Sequence, residues 1–329
     1  MDSKTIVDSF QGKRILVIGD VMIDAYLYGK VNRVSPEAPV PIVSFSKHEE
    51  RLGGAANVAM NIAALGAIPI LTSVIGDDNE GKRLLELITQ QQMPVDGIVQ
   101  SKNRITTVKT RVIGNNQHLL RIDNEQTNPI NKSEETNLIT VVREICDKSV
   151  VDAIIFEDYN KGTLTQFVIE EIITLAQNRG IPTTVDPKKD NFLAYKGVTL
   201  FKPNLKELKE GLNIELSSCK GNEFEHAVNV LQNELSNQIT FVTLSEHGVY
   251  IQDQSAKHYI PAHLRNIADV SGAGDTVISV ATLCLTAGLP IELIAAYANL
   301  SGGLVCEQVG VVSIDKEKLI REASKLIHT

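Results

Sequence analysis

From Lys132 onward the chain keeps a fixed rhythm. Short apolar runs (DAIIFED, IPTTVDP, VTLFKPN and QITFVTLS) alternate with longer segments of helical spacing. Strands separated by helices return in the same direction, and the right-handed crossover leaves few arrangements other than a parallel sheet covered on both faces. KRILVIGD, residues 13–20, has the near-continuous apolar texture of a strand buried on both sides, and IPILTSVIGD with the helical segment 79–92 extends the same pattern. The expected fold is α/β, a three-layer αβα sandwich around a mainly parallel central sheet.

Two stretches break the rhythm. Residues 25–51 alternate polar with apolar and carry Pro36, Pro39 and Pro41, a texture of edge strands and turns. Residues 105–125 alternate again, with GNN as a hairpin signal, and they belong to a second insert of about 98–125. We expect these inserts to form a small β-sheet lid on a single domain spanning 1–329.

Composition narrows the partners. A net charge of -8 argues against nucleic acid or an anionic membrane as the main partner, although a basic pocket on an acidic protein can still hold a phosphorylated ligand. Cys146, Cys219, Cys284 and Cys306 are scattered, with no CxxC, as expected of reduced thiols. MDSKTIVDSFQGKR lacks the features of a signal peptide, and LIAAYANLSGGLVC is too short to span a bilayer. A cytoplasmic location is expected.

Sites in open α/β sheets lie at the carboxyl ends of the strands. Those ends carry Asp20, Asp24, Glu157, Asp158, Asp186, Lys188, Lys202, Asn204, Thr243 and Ser245. GDDNEGKR has P-loop spacing, but Arg83 stands where a magnesium-binding Ser or Thr is needed, so it reads as a turn and an acidic helix start. DVSGAGDT is more informative. Small residues from Ser271 to Gly274 leave backbone N–H groups uncovered, and a helix starting at Ala273 aims its positive end at an anion. Asp275 falls in the first helical turn, where dipole and amides are expected to lower its pKa.

DVSGAGDT and LGGAANVAMNIAALGA match the two signatures of the ribokinase-like (PfkB) carbohydrate kinases. The order GDVMID, GGAAN, KPN, VTL, GAGD runs through nearly the whole chain, so the chain resembles that family globally. Within it, SPEAPVP followed by GGAANVA, and the TTVKTRVI and HLLRID stretches, are similar to the D-glycero-β-D-manno-heptose-7-phosphate kinases of bacterial ADP-heptose synthesis. Many of those are fused to a cytidylyltransferase-like domain with an HxGH motif; none occurs here, so the likeness is to the free-standing kinase.

The resemblance implies ATP and Mg2+ as cofactors and a sugar phosphate as acceptor. It casts Asp275 as the base for the attacking hydroxyl and Gly272, Ala273 and Gly274 as the anion hole. Asp24, Gly53, Gly54 and Asn57 match the sugar-binding positions. Arg33, Lys109, Arg111 and Lys161 are candidates for the substrate phosphate, with Lys109 and Arg111 on one strand face by period two. Asn204, Thr243, Ser245 and Asn299 are candidates for the nucleotide, and Glu207 for hydrated magnesium. In this subfamily two lids clasp to form a homodimer, and YLYGKV and PIVSF supply apolar surface for one. The alternatives are a kinase of another sugar, sugar phosphate or nucleoside, and a non-catalytic sugar-binding relative.

Overall fold

The computed structural model describes residues 2–263 and 265–326. Its strands, in chain order, are β1 (Arg14–Gly19), β2 (Val21–Val34), β3 (Pro41–Gly54), β4 (Ile68–Gly76), β5 (Ile98–Ser101), β6 (Val108–Gly114) and β7 (Gln117–Asn124). They continue with β8 (Ala153–Glu157), β9 (Thr183–Asp186), β10 (Leu200–Phe201), β11 (Ile239–Thr243), β12 (Val249–Gln252) and β13 (Lys257–Ile260). Nine of them form one sheet in the order β13-β12-β11-β10-β9-β8-β1-β4-β5. It is parallel from β11 to β5, and β12 and β13 extend it as antiparallel edge strands.

Burial explains the sequence texture. Every residue of β8 and β9 is buried, as is all of β1 after Arg14, so apolar runs replace alternation. One core lies under helices Ala55–Ala64, Ala273–Thr286 and Ile291–Val305; the other lies under Lys132–Lys148, Gln166–Arg179 and Asn222–Leu235. These are the three expected layers. GDDNEGKR is indeed a helix start: Asp78 caps Asn79–Gln90 by accepting from the Gly81 N–H at 2.6 Å.

The remaining strands form a second sheet, β3-β2-β6-β7, whose β2–β6 pair is parallel and whose other pairs are antiparallel. Asn115 and Asn116 turn β6 into β7 with positive φ, as GNN requires. The second insert begins later than expected. Ile98–Ser101 pairs in parallel with β4 on the central sheet, so only β6 and β7 of that stretch enter the small sheet. No helix among the described residues is long and apolar enough to cross a membrane. The four cysteines are free thiols, three of them buried.

Candidate active site

The helix Ala273–Thr286 starts where the small sheet meets the carboxyl ends of the central strands. Gly272 caps it with φ 78°, a conformation that favours glycine, and a Cβ there would press on the Asn57 side chain at 2.8 Å. Ser271 to Gly274 stay partly exposed while Asp275 is buried. Gly274 contributes one of the first-turn N–H groups that have no acceptor within the helix. Ala273 is less free than expected, because its N–H reaches Val270 O at 3.3 Å.

Asp275 has two side-chain donors. Asn57 Nδ2 reaches Oδ2 at 2.6 Å, and the Tyr159 hydroxyl reaches Oδ1 at 2.7 Å. Its pKa nevertheless lies above the ordinary value, opposite to the sequence expectation. Burial is the largest cause; the Asn57 and Tyr159 donors pull it back, and the Asp186 carboxylate pushes it up again. The helix start is real, but desolvation outweighs it.

Behind Asp275 lies a carboxylate cluster. Oxygens of Glu157, Asp186 and Asp275 lie within 4.8 Å of one another, and both Glu157 oxygens are buried without a hydrogen-bond partner. Burial, then Asp186 and Asp275, hold Glu157 well above its ordinary pKa. Lys202, itself buried, pairs with Asp186 at 2.9 Å. Lys188 bonds Glu207 Oε1 at 2.6 Å and lies 5.4 Å from the centre of the Tyr159 ring. A Cβ on Gly274 would lie 3.4 Å from Asp186 and 3.9 Å from the Lys202 amine, so the turn faces a carboxylate and the ammonium paired with it. Lys202 is the cation that a phosphate there would meet.

The sugar-side candidates divide. Asp24, on β2, is buried and ion-paired to Arg111. Gly53 lies against it: a Cβ there would come within 2.2 Å of Asp24 Oδ2. Gly54, with φ 60°, turns β3 directly into the helix bearing Asn57. Lys109 and Lys161 join through Glu125, each at 2.8 Å, and Lys109 also pairs with Asp123 at 3.1 Å. The structure therefore links Asp24 to Gly53 and Arg111, and Lys109 to Lys161 through Glu125. It does not bring Arg33 to either group. Arg33 lies nine strand positions beyond Asp24, roughly 30 Å at the usual rise, and is exposed.

On the nucleotide side Asn204 and Glu207 form a reciprocal capping box. Asn204 Oδ1 accepts from the Glu207 N–H and Glu207 Oε2 from the Asn204 N–H, both at 2.8 Å. Thr243 ends β11 beside Asn204, linked by an isolated parallel bridge. Ser245 is exposed with φ 53°, and the Asn299 amide donates to Pro261 O at 2.9 Å. With both Glu207 oxygens already accepting, the donor set fits a magnesium ion held through its water shell better than one bound directly.

The pattern of the pfkB family carbohydrate kinases matches residues 13–318. The chain belongs to that family. Curated relatives include the bifunctional protein HldE of Syntrophotalea carbinolica, 35% identical over 96% of this chain and 65% of that protein. The HldE of Sulfurimonas denitrificans is 39% identical over 92% of this chain and 62% of that one. The chain thus spans less than two thirds of the length of these relatives. Among solved structures, Escherichia coli phosphofructokinase-2 in complex with substrates and products matches with a TM-score of 0.79. That match is 20% identical and covers 96% of this chain and all of the other. Arabidopsis thaliana ribokinase complexed with ribose and ATP matches at 0.74, 16% identical, over 96% and 99%. These two share its ribokinase-like fold; by its family the chain is a carbohydrate kinase, a class that uses ATP.

Two residues of this PfkB kinase's site had no role assigned from the sequence. Tyr159 carried no signal, because its partner is 116 positions away. Asp20 was visible only as a polar strand end. Its carboxylate accepts the N–H groups of Tyr159, Lys161 and Thr163 at 2.9, 3.0 and 3.1 Å, which fixes the DYNKG loop over the site.

Proposed function

We propose that this chain phosphorylates the anomeric hydroxyl of D-glycero-β-D-manno-heptose 7-phosphate to the 1,7-bisphosphate, using ATP and magnesium, on the route to ADP-heptose and lipopolysaccharide core. The observation that carries the chemistry is Asp275, buried at a helix start between Asn57 and Tyr159 and facing a turn with Lys202 behind it. The heptose assignment is supported by the HldE relatives.

In this reading Asp24, Asn57 and the Gly53–Gly54 backbone hold sugar hydroxyls. Arg111, Lys109 and Lys161 face the phosphorylated end, and Arg33 is left out because of its distance. The anomeric oxygen attacks the γ-phosphorus, its proton passes to Asp275, and the bond from that phosphorus to the β,γ-bridging oxygen breaks to release ADP. The N–H groups of Gly272 and Gly274, with Lys202, meet the charge on the migrating phosphoryl group. Bound magnesium would neutralise charge on the nucleotide phosphates. Glu207 orders its waters, Asn204 fixes Glu207, and Thr243, Ser245 and Asn299 lie toward the rest of the nucleotide.

The protein acts in the cytoplasm as a homodimer through the small sheet. Leu120 and Ile122 are 58% and 52% exposed, and their register with Val112 and Thr110 puts them on the face opposite Lys109 and Arg111. Phe45, 67% exposed on β3, adds to this surface. A second copy is the occupant that covers it.

The test is ADP release with ATP and magnesium against heptose 7-phosphate, fructose 6-phosphate, ribose and adenosine. Strong preference for the heptose, with product phosphorylated at the anomeric carbon, supports the assignment. Preference for another acceptor keeps the Asp275 chemistry and reassigns the basic cluster. Silence across the panel sinks the proposal.

A further inference from the structure

Arg51 touches none of the groups assigned above, yet it joins them. On β3 it lies two residues before Gly53, opposite Asp24 in the strand register. Its guanidinium lies 5.1 Å from the centre of the Tyr26 ring, and that of Arg111, the partner of Asp24, lies 5.3 Å from the same ring. The other end of Arg51 leaves the sheet. Nη1 donates to the carbonyls of Val311 at 3.0 Å and Val309 at 3.3 Å, in the loop after helix Ile291–Val305. Gly310, between them, has φ 76°, and a Cβ on it would come within 2.7 Å of that nitrogen, so the loop is shaped around the guanidinium.

The loop in turn holds the anion turn. The Gly310 N–H donates to Asp269 Oδ2 at 2.9 Å, while Asp269 Oδ1 accepts from the Ser271 N–H and hydroxyl at 3.0 and 2.8 Å. Val311 reaches the same turn from the side, its methyl 3.4 Å from where a Gly272 Cβ would be. Contacts therefore run unbroken from Asp24 through Arg111, Tyr26, Arg51, Gly310 and Asp269 to Ser271.

We propose that Arg51 is a positioning residue that sets the Ser271–Gly274 turn from the small sheet, so that sugar engaged at Asp24 and the phosphoryl-binding amides are held in mutual register. This rests on the kinase reading above. A lysine cannot replace it fully, because a compact ammonium on a flexible stem lacks the planar guanidinium that donates to both carbonyls from one end while lying over the Tyr26 ring.

The experiment compares Arg51→Met, Arg51→Lys, Asp269→Asn and the Arg51→Met/Asp269→Asn double variant in the full chain. A misplacement near 1 Å costs about 10²-fold in rate. Arg51→Met should therefore lower kcat by about 10- to 100-fold while both KM values move by less than about 3-fold, with partial recovery in Arg51→Lys. Amide exchange at Ser271–Gly274 should quicken in Arg51→Met, a readout that needs no substrate. The double variant should cost little more than the worse single one, because both break one chain of contacts. Should Asp269→Asn not fold, Ser271→Ala takes its place. Unchanged exchange in Arg51→Met, or full additivity in the double variant, overturns the proposal. A wild-type chain inactive on the whole panel instead sinks the kinase assignment and leaves the exchange result standing.

Discussion

The Tyr159 hydroxyl lies 2.7 Å from Asp275 Oδ1 and donates to it, which makes Tyr159→Phe an informative perturbation. The change removes one oxygen and leaves the ring in place. A hydrogen bond to a charged group contributes about 1.5–3 kcal/mol. At 1.36 kcal/mol per pKa unit, losing it should raise the Asp275 pKa by about one to two units, on top of the rise that burial already causes. The direction follows from the donor's preference for the ionised carboxylate. If Asp275 takes the proton of the attacking hydroxyl, the acid limb of kcat/KM should move up by the same one to two units. The plateau above it should stay within about tenfold, because a more basic carboxylate accepts protons more readily. ADP release measured across pH in both proteins gives the comparison. An acid limb that stays put in a correctly folded variant would falsify the assignment of that limb to Asp275.

Three further outcomes follow from the geometry. Gly53→Ala places a methyl 2.2 Å from Asp24 Oδ2, so it should weaken sugar binding at least about tenfold, read as KM, with little change in nucleotide affinity. Glu157→Gln bears on stability. The folded chain keeps on Glu157 a proton that the unfolded chain releases above about pH 4.5, so wild-type stability should fall as pH rises from there toward the folded value. The variant should gain on wild type in denaturant midpoints as pH rises above about 4.5, and parallel pH dependences would refute this. Ile122→Asp, on the exposed sheet face, should shift sedimentation toward monomer while the isolated chain keeps its fold; an unchanged species distribution would remove the dimer surface.

What the sequence made legible depends on how local the cause is. The strand–helix alternation, the Asn115–Asn116 turn and the cap at Asp78 are local, and each was readable in advance. NLKE, residues 204–207, was readable as a motif but not as a role, because the same spacing serves a capping box and a magnesium shell. Arg33 failed for a geometric reason: lying on a β-like insert does not say how far along the strand a residue sits. The Asp275 pKa failed because burial is a property of the assembled chain, and it outweighs even the Asn57 donor from 218 positions away. Ile98–Ser101 adjoins the alternating stretch, and only pairing with β4 shows which sheet it joins.

The attachment of the small sheet limits how the site can open and close. Only Asp20 separates β1 from β2, and β3 runs into the helix Ala55–Ala64 without an intervening loop. The Asp20 carbonyl accepts from the Ala55 N–H at 2.9 Å and its own N–H donates to Glu157 O at 3.1 Å, so the root is locked to the central sheet. No pivot exists there. Closure over a bound sugar has to come from flexing two fourteen-residue ribbons along their length, most easily at the register shifts after Tyr28 and Val31.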